Sequence, residues 1–272
     1  MIAGQVFGVL LLAARALACA SHDNNYNLAD RKRSPEEAAP KADWAYEASF
    51  NWGRINPDYA LCQTGTQQSP IALSLDNGLA LNHVLQFNYP NQTAGNFFNW
   101  GYGPAFTLTN PEGGYTCNPS VTYDNTTLYL KGWHIHAPAD HSVNGVRSKA
   151  ELHLVHGDDQ GRERAVLAIL LSPGNANTTF LEQLPPLIGF NDVSTKVPVT
   201  LDLNKALNSV ELFNEFWTYQ GSLTSPPCTE GIRWFVARQQ MLTSVDQMRA
   251  ILGASTYSAR AEQDVWQHRI NE

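Results

Sequence analysis

From residue 44 onward, apolar residues occur in short runs that are rich in β-branched, aromatic and leucine side chains, as is typical of β-strands. Turn sequences such as NPDY, DNGL and SPGN separate these runs. The spacing of runs and turns indicates a protein built mainly of short strands. The predicted strands are AFTLT, TLYLKGWHIH, KAELHLVHG, AVLAILL and GIRWFVARQ.

Two segments show helical signals instead. Residues 202–215 begin with a suitable N-cap at Asp202. The segment TSVDQMRAILG has Thr243 or Ser244 as its N-cap and ends at Gly253. Helices are therefore predicted to be few and short, within a mainly β fold.

Composition agrees with one folded domain over residues 44–272, which no internal repeat or low-complexity break divides. The chain is 43% hydrophobic and 16% charged, so it can bury a sizeable core. Its formal net charge of -7 argues against nucleic acid as a partner, because phosphate backbones are bound by clustered lysine and arginine.

Residues 1–20 form an apolar run that ends in small residues at Ala18 and Ala20, the pattern of a secretory signal peptide. A buried N-terminal helix is the alternative interpretation. The run is short and is interrupted by Arg15, so no stable membrane span is expected.

Residues 21–43 are polar and poor in β-branched residues, which predicts a flexible leader. The basic cluster Arg31, Lys32 and Arg33 is either a pro-peptide cleavage site, with cleavage after Arg33, or a solvated run of charge. Both interpretations leave the folded domain to begin at residue 44.

Three Asn-X-Thr sequons begin at Asn91, Asn125 and Asn177. Each alone arises often by chance. Together with the signal segment they predict a secreted, extracellular glycoprotein with these asparagines in exposed loops.

The cysteines give an odd number in a secreted chain. Cys19 leaves with the signal segment, so Cys62, Cys117 and Cys228 remain in an oxidising compartment. One of the three is therefore unpaired within the chain. It is either buried as a small apolar residue or available for a bond between two subunits.

Residues 133–158 hold five of the eight histidines of the chain. Because residues two apart on a strand point to the same side, His134 and His136 face one side of their predicted strand. In KAELHLVHG the same period places Glu151 and His153 together on one face. The spacing predicts two strands that each present histidines on one face.

The Asn-Gly pair at 144–145 is a strong hairpin signal that would return the second strand antiparallel to the first. His134, His136 and His153 would then converge. Three neutral imidazoles suit a tetrahedral Zn²⁺ and leave its fourth position to water, as in catalytic zinc sites. Glu151 is placed to accept a ring N–H and so fix one tautomer. A lone strand histidine is more often a structural residue, but this triple favours a metal site.

The sequence resembles the α-class carbonic anhydrases over roughly residues 44–270. The zinc motif of that family has two histidines separated by one residue and a third in an A-E-L-H-L-V-H strand. It matches His134, His136 and His153. Further matches occur at QQSPIAL, at FWTYQGSLTSPPCTEGIRWFV and, more loosely, at NWG (51–53).

The resemblance implies a single domain around a large twisted, mostly antiparallel sheet with a few short peripheral helices. It also implies zinc-dependent reversible hydration of carbon dioxide, in which hydroxide on Zn²⁺ attacks the substrate and bicarbonate leaves in exchange for water. Zn²⁺ is then the expected cofactor, and carbon dioxide and bicarbonate are the expected small-molecule partners.

Individual residues acquire roles through their match to the family motifs. Thr224 resembles the threonine whose hydroxyl orients the hydroxide, with Ser225 beside it in the substrate site. Asp140 aligns with the acid that receives the threonine hydroxyl. Cys62 and Cys228 match the disulfide of secreted members. The apolar surface on which carbon dioxide rests matches Val155, Val166, Leu223 and Trp234.

Several positions depart from the family pattern. Fast members carry a shuttle histidine where NWGYGPAF has Pro104, with Tyr102 nearby, so turnover is expected to be limited by buffer. Asp140 is one methylene shorter than the family's glutamate, and Gly132 replaces a glutamine beside the first ligand. Arg54 replaces an aromatic residue after NWG. Such changes around a metal cost about 10–100-fold in affinity or activity.

Two other functions fit part of the pattern. A catalytically weak, extracellular binding module would keep the carbonic-anhydrase-like fold, but such relatives typically lose a zinc histidine that this chain retains. A zinc-dependent esterase would direct the same hydroxide at an ester. With Cys62 and Cys228 paired, an exposed Cys117 predicts a disulfide-linked homodimer.

Overall fold

The computed structural model describes residues 43–109 and 114–272. The predicted signal peptide (1–20), the leader up to residue 42 and the cleavage point after Arg33 lie outside those residues. None of the described helices is long and apolar enough to cross a bilayer.

Strands make up most of the regular structure. They are β1 (Ala72–Leu73), β2 (Gln86–Asn88), β3 (Thr93–Asn99), β4 (Pro104–Leu108), β5 (Ser120–Tyr123), β6 (Thr126–His136), β7 (Ser142–Val143), β8 (Val146–Arg147), β9 (Ala150–Gly157), β10 (Glu163–Pro173), β11 (Lys196–Leu201), β12 (Phe216–Ser222), β13 (Glu230–Ala237) and β14 (Met241–Thr243).

The helices are short. They are α1 (Trp52–Ile55), α2 (Leu61–Thr64), α3 (Asn204–Asn208) and α4 (Val245–Ala254), with 3₁₀ turns at Tyr46–Asn51, Pro57–Tyr59, Leu75–Asn77, Leu181–Gln183 and Glu211–Phe213.

Within the described residues, eleven strands form one sheet, whose main path runs β11-β3-β4-β6-β9-β10-β13-β12. Strand β5 pairs with both β6 and β2, and β14 pairs with β10. The strand pairs of this large sheet are antiparallel, except that β10 is parallel to both β13 and β14. A second, three-stranded sheet has the order β1-β7-β8. The predicted mainly β fold with a large, mostly antiparallel sheet is therefore confirmed.

Strict alternation along the central strands separates the two faces of the large sheet. Trp133 and Ile135 of β6 pack with Leu152 and Leu154 of β9 in the main apolar core, and all four are fully buried. Because neighbouring residues on a strand point to opposite faces, the histidines between them point away from this core. The core thus fixes which face of the sheet carries the site.

The helix predictions are confirmed in part. Ser244 is the N-cap of α4, in a capping box with Gln247, and the helix ends at Ala254. The predicted helix over 202–215 is much shorter than expected. Residues 211–213 all have positive φ, between 52° and 55°, so the right-handed helix cannot continue through them.

The Asn-Gly pair at 144–145 forms a turn, with φ of 50° and 75°, but it joins the short strands β7 and β8. The prediction that this pair directly links the two histidine strands was therefore wrong in detail. β6 and β9 are antiparallel neighbours as expected. The connection between them carries its own small hairpin, which pairs through β7 with β1 of the second sheet.

Candidate metal centre

The pairing of β6 with β9 brings the three predicted histidines together. Its register sets His134 directly opposite His153, and it sets His136 opposite Glu151. The three histidines are between 1% and 5% exposed, and one ring nitrogen of each lies within 4.8 Å of the other two. Two adjacent strands thus present three nitrogens to one point.

The contacts of His136 fix its protonation. Its Nδ1 lies 2.6 Å from the carbonyl oxygen of Ser258, which can only accept, so Nδ1 carries the hydrogen. Burial lowers the pKa of His136 to about 4, and the ring is therefore neutral at pH 7. The lone pair is then on Nε2, which lies 3.0 Å from Nε2 of His134.

Glu151 fixes the third histidine in the same way. Its Oε1 lies 2.8 Å from Nε2 of His153 and 2.6 Å from Nδ1 of His141, and its Oε2 accepts the backbone N–H of His141 at 2.8 Å. Burial alone would raise the pKa of Glu151, but His141 and His153 beside it hold that pKa well below its usual value. The carboxylate stays ionised and accepts a hydrogen bond from the Nε2–H of His153, which leaves the lone pair of that ring on Nδ1.

An apolar surface lies next to the histidines along the same strands. Val155 of β9 is directly opposite Val166 of β10, which is in turn opposite Trp234 of β13. Leu223 joins them in one buried cluster, and none of the four is more than 3% exposed. The Trp234 and His153 rings are 4.9 Å apart between centroids. We call Val155, Val166, Leu223 and Trp234 the apolar wall.

The segment after β12 carries Thr224 and Ser225, both buried. A disulfide between Cys62 and Cys228 anchors this segment, as the resemblance implied. The Trp234 indole N–H also donates to the Ser222 carbonyl at 2.9 Å. A loop held at both ends can position a hydroxyl more rigidly than a free loop.

Comparison with known proteins supports what this geometry indicates. Residues 47–270 match the family model described as eukaryotic-type carbonic anhydrase. The chain belongs to this carbonic anhydrase family. It is 32% identical over 219 residues to a carbonic anhydrase of Pectobacterium carotovorum, which covers 78% of this chain and 82% of the relative.

Other relatives show both the fold and the range of the family. The α-carbonic anhydrase of Thermovibrio ammonificans, solved in complex with the inhibitor sulfanilamide, superposes with a TM-score of 0.72 at 26% identity. That match covers 86% of this chain and 99% of the structure. The chain is also 33% identical to Dioscorin DB3S of Dioscorea polystachya over 202 residues, which are 73% of this chain and 71% of the relative.

Asp140, at the position of the carbonic anhydrase glutamate, is fully buried. Its Oδ1 accepts the backbone N–H of Arg260 at 2.8 Å. Its Oδ2 has no hydrogen-bond partner among the described residues and lies 3.6 Å from Nδ1 of His136. No hydrogen bond joins Asp140 to Thr224 in the described part of the chain. This agrees with the shorter reach of an aspartate, which has one methylene fewer than the family's glutamate.

Aromatic side chains that the sequence analysis missed lie beside the other two histidines. The Trp100 ring is 5.1 Å from the ring of His134 and 5.2 Å from that of His136. The ring of Tyr46 is 5.8 Å from that of His136. Arg54, which replaces an aromatic residue of the family pattern, is exposed on α1. We call the following residues the aromatic wall: Trp44, Tyr46, Trp52, Trp100 and Tyr102.

The presence of glycine at position 132, where the family has glutamine, has a structural reason. Gly132 lies opposite Val155 beside an irregularity in the β6–β9 register, and a Cβ at this position would clash with the carbonyl oxygen of Phe106 on β4. A glutamine could not occupy position 132 unless β4 moved. The departure from the family pattern therefore follows from how closely β4 and β6 approach each other.

The other described histidines all have partners of their own. His156 Nδ1 lies 3.0 Å from the Leu154 carbonyl and its Nε2 lies 2.6 Å from the Tyr89 hydroxyl, and burial lowers the pKa of His156 to about 3. His83 Nδ1 pairs with Asp124 at 2.9 Å. Among the described residues, no histidine occupies the position expected for a shuttle: Pro104 is buried in β4 and Tyr102 packs in the aromatic wall.

The predicted surface residues lie where modification requires them. Asn91, Asn125 and Asn177 are all exposed. Cys117 is exposed and forms no disulfide within the described chain, so the alternative of a buried small apolar residue is wrong.

Proposed function

We propose that this chain catalyses the zinc-dependent, reversible hydration of carbon dioxide to bicarbonate and a proton. Its family and fold support carbon dioxide hydration in general. The observation that carries the zinc mechanism is the pair of hydrogen bonds that His136 and His153 donate to the Ser258 carbonyl and the Glu151 carboxylate. These bonds leave lone pairs on His136 and His153 directed toward the third histidine, His134.

The donor set fits Zn²⁺, with ligands Nε2 of His134, Nε2 of His136 and Nδ1 of His153. All three rings are buried, and neutral imidazoles are the form that binds this ion. Zn²⁺ held by three protein nitrogens lowers the pKa of a water in its open position to about 7 and so supplies a nucleophile at neutral pH.

The chain's own residues would receive and orient the substrate. Carbon dioxide has no charge, and the apolar wall offers it a surface beside His153 from which water is excluded. Thr224 would direct its hydroxyl toward the attacking oxygen, and its backbone N–H would hold an oxygen of the product. Asp140 Oδ2 is buried and has no hydrogen-bond partner among the described residues, and it is the acceptor we assign to the Thr224 hydroxyl during turnover.

Proton release is the slow step in this proposal. The only titratable group of the segment 99–106 is Tyr102, and burial raises its pKa to about 12, too high to exchange protons rapidly near pH 7. The proton would then leave to buffer molecules that enter the site. Turnover is therefore expected to rise with buffer concentration.

The first test combines metal content with stopped-flow carbon dioxide hydration across a range of buffer concentrations. Wild-type protein should contain one zinc per chain and show activity that rises with buffer. His153→Ala should lose both zinc and activity, whereas His156→Gln, a change at a histidine on the same strand outside the cluster, should keep zinc. Bound zinc without hydration would instead favour the binding-module function.

We also propose that the chain is secreted, glycosylated and joined as a homodimer through Cys117. The intrachain disulfide and the exposure of Cys117 and of the three sequon asparagines support this proposal. Non-reducing electrophoresis of the secreted protein should show a band at the mass of a dimer. Glycosidase treatment should increase the mobility of that band. A monomer of unchanged mobility would reject both modifications.

A further inference from the structure

The segment after Arg260 carries an exposed tryptophan that carbon dioxide hydration does not use. All seven tryptophans of the chain lie in the described residues, and six are buried or half-buried. Trp266 is 68% exposed. Exposing so large an apolar ring costs solvation free energy, and such residues often mark binding sites.

Trp266 lines two clefts. The larger has a volume of about 610 Å³, within the roughly 300–1,000 Å³ of ligand sites, and the smaller has about 140 Å³. Three glutamine side chains line each cleft. The amide of Gln220 and the guanidinium of Arg269 make no hydrogen bond to another described residue, whereas the other five amides each have a partner within the chain. The amide side chains lining the two clefts are Gln63, Gln67, Gln68, Gln220, Gln263 and Gln267.

Hydrogen bonds of the backbone around Trp266 hold it in place. Its backbone N–H donates to Nδ1 of His268 at 3.0 Å, and Nε2 of His268, itself 1% exposed, lies 2.8 Å from the Gln68 carbonyl. The neighbouring Gln267 carbonyl accepts from the side chain of Gln67 at 2.7 Å. The ring is thus presented from a fixed backbone, which lowers the entropy lost on binding.

The chemistry of the clefts selects one class of ligand. A pyranose ring with equatorial hydroxyls has flat C–H faces that pack on an indole, and its hydroxyls both donate and accept hydrogen bonds, as amides do. Acidic residues at Asp264 and Glu272 balance Arg269, so a polyanion is disfavoured. We propose that Trp266 and the amide clefts bind a neutral oligosaccharide of β-linked, gluco-configured sugars.

The test is calorimetric titration of the full-length protein with cellohexaose and with chitohexaose. At least one of the two should bind. Trp266→Ala should weaken that binding at least tenfold and Gln220→Ala several-fold, whereas Trp266→Phe, which keeps a ring, should stay within a few-fold of wild type. Leu81→Ala, at a leucine that is 75% exposed outside the clefts, is the matched control and should bind normally.

Two results would overturn the proposal. One is the absence of heat with either hexasaccharide at millimolar concentration. The other is binding by Trp266→Ala that equals wild type. Sedimentation velocity is measured in parallel, because self-association lost in Trp266→Ala without sugar binding would assign the surface to a second copy of the chain instead. Carbon dioxide hydration by Trp266→Ala should match wild type, which separates this site from the metal centre.

Discussion

The apolar wall and the aromatic wall lie beside the same histidine cluster but contact different members of it, and they differ in their relation to the carbonic anhydrase pattern. The apolar wall is built from positions that match the family, in register across β9, β10 and β13, and it contacts His153. The aromatic wall contacts His134 and His136, and it includes Tyr102, near the position where fast family members carry a shuttle histidine.

In the proposed function, this difference assigns the two halves of the reaction to separate parts of the fold. Attack on carbon dioxide would use the three histidines, Thr224 and the apolar wall. Proton release needs a titratable group near neutral pH, and the titratable groups of the aromatic wall are Tyr46 and Tyr102, whose pKa values burial raises. Substitutions on the two walls should therefore affect different rate constants.

The largest effect is expected at Thr224, beside the apolar wall. Thr224→Val keeps the volume and removes the hydroxyl, so the attacking oxygen loses its orientation, and kcat/KM should fall by about 10²-fold. Stopped-flow hydration at saturating buffer measures this loss. Thr224→Ser, which keeps the hydroxyl, should remain within a few-fold of wild type, and zinc content should be unchanged in both variants. Equal activity of Thr224→Val and wild type would remove Thr224 from the mechanism.

A smaller gain is expected on the aromatic wall. Tyr102→His introduces a group with an ordinary pKa of about 6.5 at a half-exposed position, and it should raise turnover at low buffer by about tenfold. The dependence on buffer concentration should weaken in the same variant. Tyr102→Phe is the control, because a hydroxyl with a pKa of about 12 contributes no proton transfer near pH 7. A gain in Tyr102→Phe would attribute the effect to space rather than to proton transfer.

The smallest effect concerns acid stability of the metal-free protein. Burial lowers the pKa of His136 to about 4 and that of His156 to about 3, so between pH 4 and 6.5 the unfolded chain binds more protons. The free energy of unfolding should therefore rise with pH across this window, by up to about 1.4 kcal/mol per pH unit for each histidine.

Trp100→Ala opens the aromatic wall and hydrates His136, whose pKa should rise toward its ordinary value. Urea denaturation of chelated protein between pH 4.5 and 6.5 should then show a slope lower by about one proton. The contribution of His156, which lies outside the aromatic wall, should persist in the variant. A slope equal to that of wild type would mean that Trp100 does not keep His136 dry.

The strands and the three histidines could be predicted from the sequence because their signals are local. Alternation over a few residues decides which side chains share a face, and it placed His134 with His136 and Glu151 with His153. The helix over 202–215 was overestimated because a positive φ at Glu211 and the next two residues cannot be read from their identities. The prediction for the Asn-Gly pair was wrong for a similar reason. The pair predicts a turn but does not determine which strands the turn joins.

The contacts around the histidines could not be predicted, because their partners are distant in the chain. Arg260 donates its backbone N–H to Asp140 and its guanidinium to the carbonyls of Cys62 and Ser69. No periodicity links residues that are more than a hundred positions apart. Trp100 is an ordinary core aromatic by sequence, and only the pairing of β4 with β6 brings its segment beside His134.

The hydrogen bond between His136 and Ser258 spans 122 residues and has a consequence for biosynthesis. A ribosome completes all three metal-binding histidines well before it reaches Ser258, so the nascent chain holds the ligands without the carbonyl that selects the tautomer of His136. We infer that full metal affinity is acquired only after Ser258 has been made and its segment has docked beside His136. Metal loading would then follow translation and, for a secreted chain, would depend on the zinc available in the compartment where folding is completed.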